Sequence, residues 1–115
     1  MSDYRIYWVA TAKPRPSLEP GVLEKWWRER GKGLHESIPG VKSVRVYQGQ
    51  WGLGSGQYPL EIWLELENYA AFDRIDEDVK TNMGKWSDIL KEVGEYWESG
   101  PYFRLVGEWP ECSFM

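Results

Sequence analysis

Leu60-Glu61-Ile62-Trp63-Leu64-Glu65-Leu66 alternates without a break, so an extended segment here buries Leu60, Ile62, Leu64 and Leu66 on one face and turns Glu61, Trp63 and Glu65 to the other. This is the clearest period-two signal in the chain and marks a strand with one face toward a core. Upstream, residues 41 to 50 alternate in the same way, with Val44 and Val46 on one face and Arg45 and Tyr47 on the other. The joining stretch Gly49-Gln50-Trp51-Gly52-Leu53-Gly54-Ser55-Gly56-Gln57 leaves no room for a crossover helix, so the two strands form a long antiparallel hairpin. The glycine-rich joint opens no helix and carries no lysine, so it reads as a hairpin tip, and as a candidate lid, rather than a phosphate cradle.

The elements on either side follow from periodicity and punctuation. Residues 4 to 12, rich in aromatic and β-branched types, predict a first strand that ends at Lys13-Pro14-Arg15-Pro16. Ser17 is placed to cap a helix from about Leu18 to Ile38, with an apolar arc of Val22, Leu23, Trp26, Trp27, Leu34 and Ile38. Gly31 and Gly33 lie inside this helix at a cost of about 1 kcal/mol each relative to alanine, which predicts a bend, a break or a close approach. Pro39-Gly40 ends it. After the third strand, Asn68 caps a short helix carrying Phe72, Ile75 and Val79. A last helix from Thr81 to Ser99 sets Met83, Trp86, Leu90, Val93 and Trp97 on one stripe, Gly100-Pro101 stops it, and residues 102 to 109 make a fourth strand. The order β-α-β-β-α-β, with right-handed crossovers, builds a single α+β domain over residues 1 to 115: a four-stranded antiparallel sheet with both helices on one face, the ferredoxin-like arrangement.

Composition narrows the function classes. Hydrophobic residues make up 42% and charged residues 28% of the chain. No stretch approaches a membrane span, and Met1-Ser2-Asp3-Tyr4-Arg5 is not a secretory leader, so a soluble, cytoplasmic protein without a membrane partner is expected. The net charge of −4 argues against nucleic acid as a partner, because phosphate capture depends on concentrated Lys and Arg. Cys112 is the sole cysteine, which excludes an internal disulfide and a cysteine zinc site. The acidic run Asp73, Asp76, Glu77 and Asp78 lacks calcium-loop spacing, so no metal is expected. Eight Trp and seven Tyr are the unusual numbers, and flat rings serve both cores and apolar pockets.

Alternation assigns the open sheet face to Arg5, Tyr7, Arg45, Tyr47, Glu61, Trp63, Glu65, Arg104 and Glu108, and the helix side to Ile6, Trp8, Val44, Val46, Ile62, Leu64, Phe103 and Leu105. Aromatics beside paired charges suit a partner's surface, and two such sheets face to face make a homodimer. Trp26-Trp27-Arg28-Glu29-Arg30 through Ser37-Ile38-Pro39-Gly40, leading into residues 41 to 47, resembles the first helix and second strand of the dimeric α+β barrel superfamily. Within it the run is most similar to EthD-like and NIPSNAP-like proteins and the small antibiotic-biosynthesis monooxygenases. That resemblance implies a homodimer with a pocket between sheet and helices for a polyketide-like aromatic or haem. It also implies isomerase, cyclase or monooxygenase chemistry without a cofactor. The sequence departs from the pattern in placing Gly31 where EthD-like proteins commonly carry histidine, and in having no histidine in residues 81 to 99, where haem-degrading relatives carry one.

His35, the only histidine, is the first candidate for proton transfer. On an unbroken helix it points away from the arc of Leu23 and Leu34, towards solvent, and only a distortion at Gly31 or Gly33 turns it inward. Tyr7 and Trp63 complete the set of catalytic candidates. Arg30 falls near the centre of the apolar arc and needs a carboxylate, supplied by a glutamate of the chain or by an anionic ligand, the internal salt bridge being preferred. Trp8, Trp26, Trp27, Trp86 and Trp97 project between sheet and helices, as core or as the walls of a ligand site. The leading expectation is therefore a small, largely apolar, aromatic molecule bound in that layer. The competing one is a non-catalytic interaction or structural module whose aromatics serve only core and dimer interface.

Overall fold

Trp8 stands opposite Leu64 on one side and Leu105 on the other, and Leu64 in turn stands opposite Val44. In antiparallel pairs directly opposed residues share a face, so one register line fixes which side of the whole sheet is apolar. The structure, a computed structural model, describes residues 5–49, 58–81 and 84–109. Its elements are β1 (Ile6–Pro14), α1 (Val22–Trp26), a π-helical turn (Trp27–Gly31), α2 (Lys32–Glu36), β2 (Val41–Gln48), β3 (Leu60–Leu66), α3 (Tyr69–Thr81), α4 (Gly84–Val93) and β4 (Trp97–Gly107). The strands form one antiparallel sheet in the order β2-β3-β1-β4. Ile6, Trp8, Val44, Ile62, Leu64 and Leu66 of the sheet join Trp26, Ile38, Ala71, Ile75, Trp86, Ile89 and Val93 in one core. The helices cover one face, which is the ferredoxin-like α+β fold that the alternation predicts. The hairpin tip at residues 50 to 57, and Cys112, lie outside the described residues.

Three features differ from the periodicity: the junction of the last helix with the last strand, the start of the first helix, and a π turn inside it. The last helix stops at Val93 rather than Ser99, and Trp97, counted on its stripe, opens β4 instead. Strand β1 continues through Pro14, which faces Trp97, while Lys13 faces Glu98 and Ala12 faces Ser99. Pairing with this extension draws residues 97–99 out of helix. The turn between is fixed by Arg15, whose Nε donates to the Gly94 carbonyl at 2.9 Å and whose backbone N–H donates to Tyr96 at 3.0 Å. Gly100 and Pro101, read as a stop, lie inside β4 where it shifts register against β1, so the outer strand pairs in two segments. Gly100 packs against Thr11 so closely that a Cβ would overlap the threonine hydroxyl. At the other end of the chain Ser17 caps nothing: the first helix begins after Gly21, whose φ of 86° is left-handed, and residues 15–22 form successive turns.

The third difference is the π-helical turn at Trp27–Gly31. A π turn inserts one residue into the helical register, so every later side chain lags by about one position. Gly31 and His35 therefore take the core-facing line that Arg30 and Leu34 hold on a regular helix. Gly31 is buried, and a Cβ there would sit 2.8 and 2.9 Å from ring carbons of Trp26 and 2.9 Å from one of Trp27. Trp26 cannot yield easily, because its ring stacks on Tyr96 with centroids 4.3 Å apart. Overpacking of this kind outweighs alanine's helical advantage of about 1 kcal/mol. Gly31→Ala is expected to destabilise the fold by about 1–3 kcal/mol in urea denaturation. Gly33→Ala, with nothing within 4 Å of its Cβ position, is expected to stabilise it by up to about 1 kcal/mol.

Candidate functional site

His35 is 4% exposed, the one buried polar residue among the described core. Its Nδ1 lies 2.7 Å from the Gly31 carbonyl oxygen. A carbonyl can only accept, so Nδ1 carries the proton and donates it, which leaves Nε2 as the ring's basic nitrogen. Among the described residues Nε2 has no hydrogen-bond partner. The imidazole centroid is 5.3 Å from Trp27 and 5.8 Å from Trp97, and those two indoles are 5.7 Å apart. Burial lowers the His35 pKa below its ordinary 6.5, while the Gly31 hydrogen bond opposes that shift. The ring is neutral at pH 7. The inward orientation corrects the expectation that His35 faces solvent, and the π turn is the distortion responsible.

His35 borders a chamber of about 160 Å³ between sheet and helices, walled chiefly by Ile62, Trp86, Leu90, Trp97 and Phe103. Among the described residues no charged side chain lines it, and Thr11 and Ser99 are its other polar lining residues. Phe103 belongs to the helix side by its register with Ala10, yet it is 46% exposed and stands at the rim. On the far side of Trp97 lies a second cleft of about 350 Å³, walled by Leu23, Trp27, Val46, Leu60 and Trp97, with Glu24 and Arg28 also on its lining. Neither Thr11 nor Ser99 is legible as a lining residue in the sequence: Ser99 falls at the end of a helix until β4 is read as starting at Trp97, and alternation places Thr11, opposite Glu61, on the open face.

The other candidate residues separate into three groups. Tyr7 and Trp63 lie on the opposite face of the sheet from His35, in edge contact at 5.3 Å, with Tyr47 5.9 Å from Trp63. They border a depression of about 520 Å³ that also holds Arg5, Arg45, Glu61 and Glu65. The sheet therefore keeps them from His35, and the three form no common constellation. Arg30, expected on the apolar arc, has a side chain 60% exposed. Its Nε and Nη2 donate to the two Glu92 carboxylate oxygens at 2.6 and 2.7 Å, and Trp26 Nε1 donates to Glu92 Oε2 at 2.8 Å. The internal salt bridge is thus present, at the surface rather than in the core. Hydrogen bonds from Arg30 and then Trp26 hold the Glu92 pKa down at about 2, against an ordinary 4.5. Trp8 is packed solid: it stacks on Trp86 at 4.9 Å and meets Phe72 and Phe103 edge-on at 6.1 and 5.7 Å. The space beneath the sheet is at His35 and Trp97 rather than at Trp8, while Arg30 borders a separate depression of about 350 Å³ with Val22, Trp26 and Tyr96.

Comparison with known proteins supports the architecture. No protein-family model matches the sequence, and no curated protein matches it significantly. Among solved structures the chain is similar to HapK from Hahella chejuensis, with a TM-score of 0.63 at 11% identity over 96% of this chain and 97% of that one. It is also similar to a dabb family protein with a ferredoxin-like fold from Mesorhizobium loti, with a TM-score of 0.60 at 14% identity over 93% and 97% of the two chains. At these identities what is shared is the ferredoxin-like α+β fold. No helix of the described residues is long and apolar enough to cross a membrane.

The buried imidazole makes stability depend on pH in a stated direction. The unfolded chain takes up a proton on His35 from about pH 6.5 downward, and the folded chain, with its lowered pKa, resists it. Stability is expected to fall as pH drops below 6.5, with a slope of at most about 1.4 kcal/mol per pH unit. Glu92 does not disturb this window, because its contribution is complete above pH 4.5 and is lost only as pH falls toward 2. Urea midpoints at neutral and mildly acidic pH, compared with those of His35→Gln, check this: the variant should lose the slope.

Proposed function

We propose that this chain binds one small, flat, largely apolar molecule in the chamber beside His35 and accepts a proton from it at Nε2. The observation that carries the reading is the Gly31-anchored imidazole on the wall of a cavity that no charged residue among those described lines. An apolar protein cavity of about 150 Å³ is large enough for benzene, so the chamber suits a single ring. A phenolic or enolic hydroxyl would satisfy both the ring-sized space and the free basic nitrogen. Nδ1–H donation to the Gly31 carbonyl fixes the tautomer and supports the imidazolium as it forms. A lasting imidazolium in so apolar a place is costly. The proton is therefore returned to the ligand, which favours isomerisation or cyclisation over a reaction that releases it.

Within the ferredoxin-like fold we place the chain beside the EthD-like and NIPSNAP-like proteins and the small antibiotic-biosynthesis monooxygenases, on the strength of the Trp26–Arg30 and Ser37–Gly40 runs. The working unit in this reading is a homodimer joined through the open sheet face. Tyr47 is exposed there, Arg45 has no ion-pair partner among the described residues, and arginines alternate with glutamates around Trp63. A surface of that pattern is self-complementary under a two-fold axis. The alternative of a purely structural module draws on the solid packing of Trp8 and the neutralised Arg30. It leaves the free Nε2 and the two clefts without a role.

Two measurements test the proposal. The chain has one histidine, so a single imidazole resonance reports the chamber. Titration with phenol is expected to move it saturably in the wild type, and an unmoved resonance at millimolar phenol overturns the reading. Sedimentation is expected to show twice the 13.5 kDa chain mass. Trp63→Lys, which sets a cation at the centre of the open face, is expected to weaken that association by about thirtyfold or more.

A further inference from the structure

Trp97 borders both spaces beneath the sheet, whereas His35 borders only the chamber and Trp27 only the outer cleft. Both spaces open toward solvent and both reach the Trp97 ring, so Trp97 is the wall they share. The indole is also held firmly in this position. Its residue opens β4 opposite Pro14, the next residue Glu98 is bracketed by Lys13 and Arg15 at 3.2 and 3.3 Å, and Gly100 locks against Thr11. The ring meets Trp26 edge-on at 5.6 Å, and Trp26 is itself tied to Glu92. Strand register and a hydrogen-bonded neighbour therefore both fix where this wall stands.

We propose that Trp97 is the size-determining residue of the site: it limits the ligand at His35 to one ring, and shortening it joins the chamber to the outer cleft so that a two-ring ligand reaches the imidazole. This rests on the reading of the chamber as a ligand site and adds to it a rule for which ligands enter. The outer cleft, walled by Leu23, Val46 and Leu60, is apolar enough to take the second ring.

The test uses phenol and its elongated analogue 4-phenylphenol, with the single histidine resonance as the readout. In the wild type, phenol is expected to move that resonance and 4-phenylphenol to leave it in place. In Trp97→Ala, 4-phenylphenol is expected to move it and to bind at least about tenfold more tightly than to the wild type. Because removing a large core ring can unfold a domain, Trp97→Leu serves as the second variant, with the same direction and a smaller gain. The inference is overturned if 4-phenylphenol moves the wild-type resonance as phenol does, or if a folded Trp97 variant keeps the wild-type size limit. Either result with phenol still bound leaves the site itself intact. An imidazole that ignores phenol in every form removes the ligand site and this inference together.

Discussion

The backbone of Gly31 lies directly under the rings of Trp26 and Trp27, with no space for a side chain. That contact holds the helix in a π turn, and the turn decides the orientation of everything that follows it as far as Glu36. The same glycine supplies the carbonyl that receives the Nδ1 proton of His35. One residue thus sets the helical phase, admits two indoles to close packing and selects the tautomer of the only histidine. Without the insertion, Arg30 would point at the sheet, where a guanidinium is expensive to bury, and His35 would turn away from it. With it, Arg30 reaches Glu92 at the surface and the imidazole goes inside.

The abundance of tryptophan is explained by a division of work. Trp8 and Trp86 stack in the centre of the core. Trp26 is a clamp: it stacks on Tyr96, covers Gly31 and donates to the carboxylate that Arg30 also holds, so the π turn is tied to the end of α4. Trp27 and Trp97 both wall the outer cleft, and of the two Trp97 also walls the chamber. Flat, rigid rings leave slots where they meet at an angle, and flexible aliphatic chains would close them. A core rich in indoles is therefore well suited to keep a small apolar cavity open beside a titratable group.

The sheet separates two kinds of chemistry. On the helix side no charged residue among those described lines the space at His35, and burial lowers the imidazole pKa. On the open side Glu65 receives Ser43 at 2.9 Å and lies within 3.6 and 3.9 Å of Lys42 and Arg5, while Glu61 accepts from Trp63 Nε1 at 3.1 Å. These are solvent-facing pairs of modest individual worth.

Much of this was legible in the chain. Strict alternation over residues 60 to 66 settled which side chains face the helices, and proline, glycine and asparagine placed most turns, including the Asn68 cap, whose Oδ1 accepts from Ala71 N–H at 2.9 Å. These features depend on neighbours two to four positions away, which is the range local sequence controls. Residues 94 to 99 look helical in the sequence, because their stripe competes with pairing to Lys13 and Pro14, more than eighty positions distant. The helical periodicity from about Leu18 to Ile38 contains the observed helix from Val22 to Glu36, and its glycines signal a distortion, but the sequence does not give the direction of His35. Choosing between an α and a π turn involves one shifted hydrogen bond, a difference small enough for packing to decide. Element order and face assignment were thus properties of the sequence alone. The phase of one helix, the start of the last strand and the chamber they enclose came from tertiary contacts, because each was a near-balanced local choice tipped by rings and strands far away in the chain.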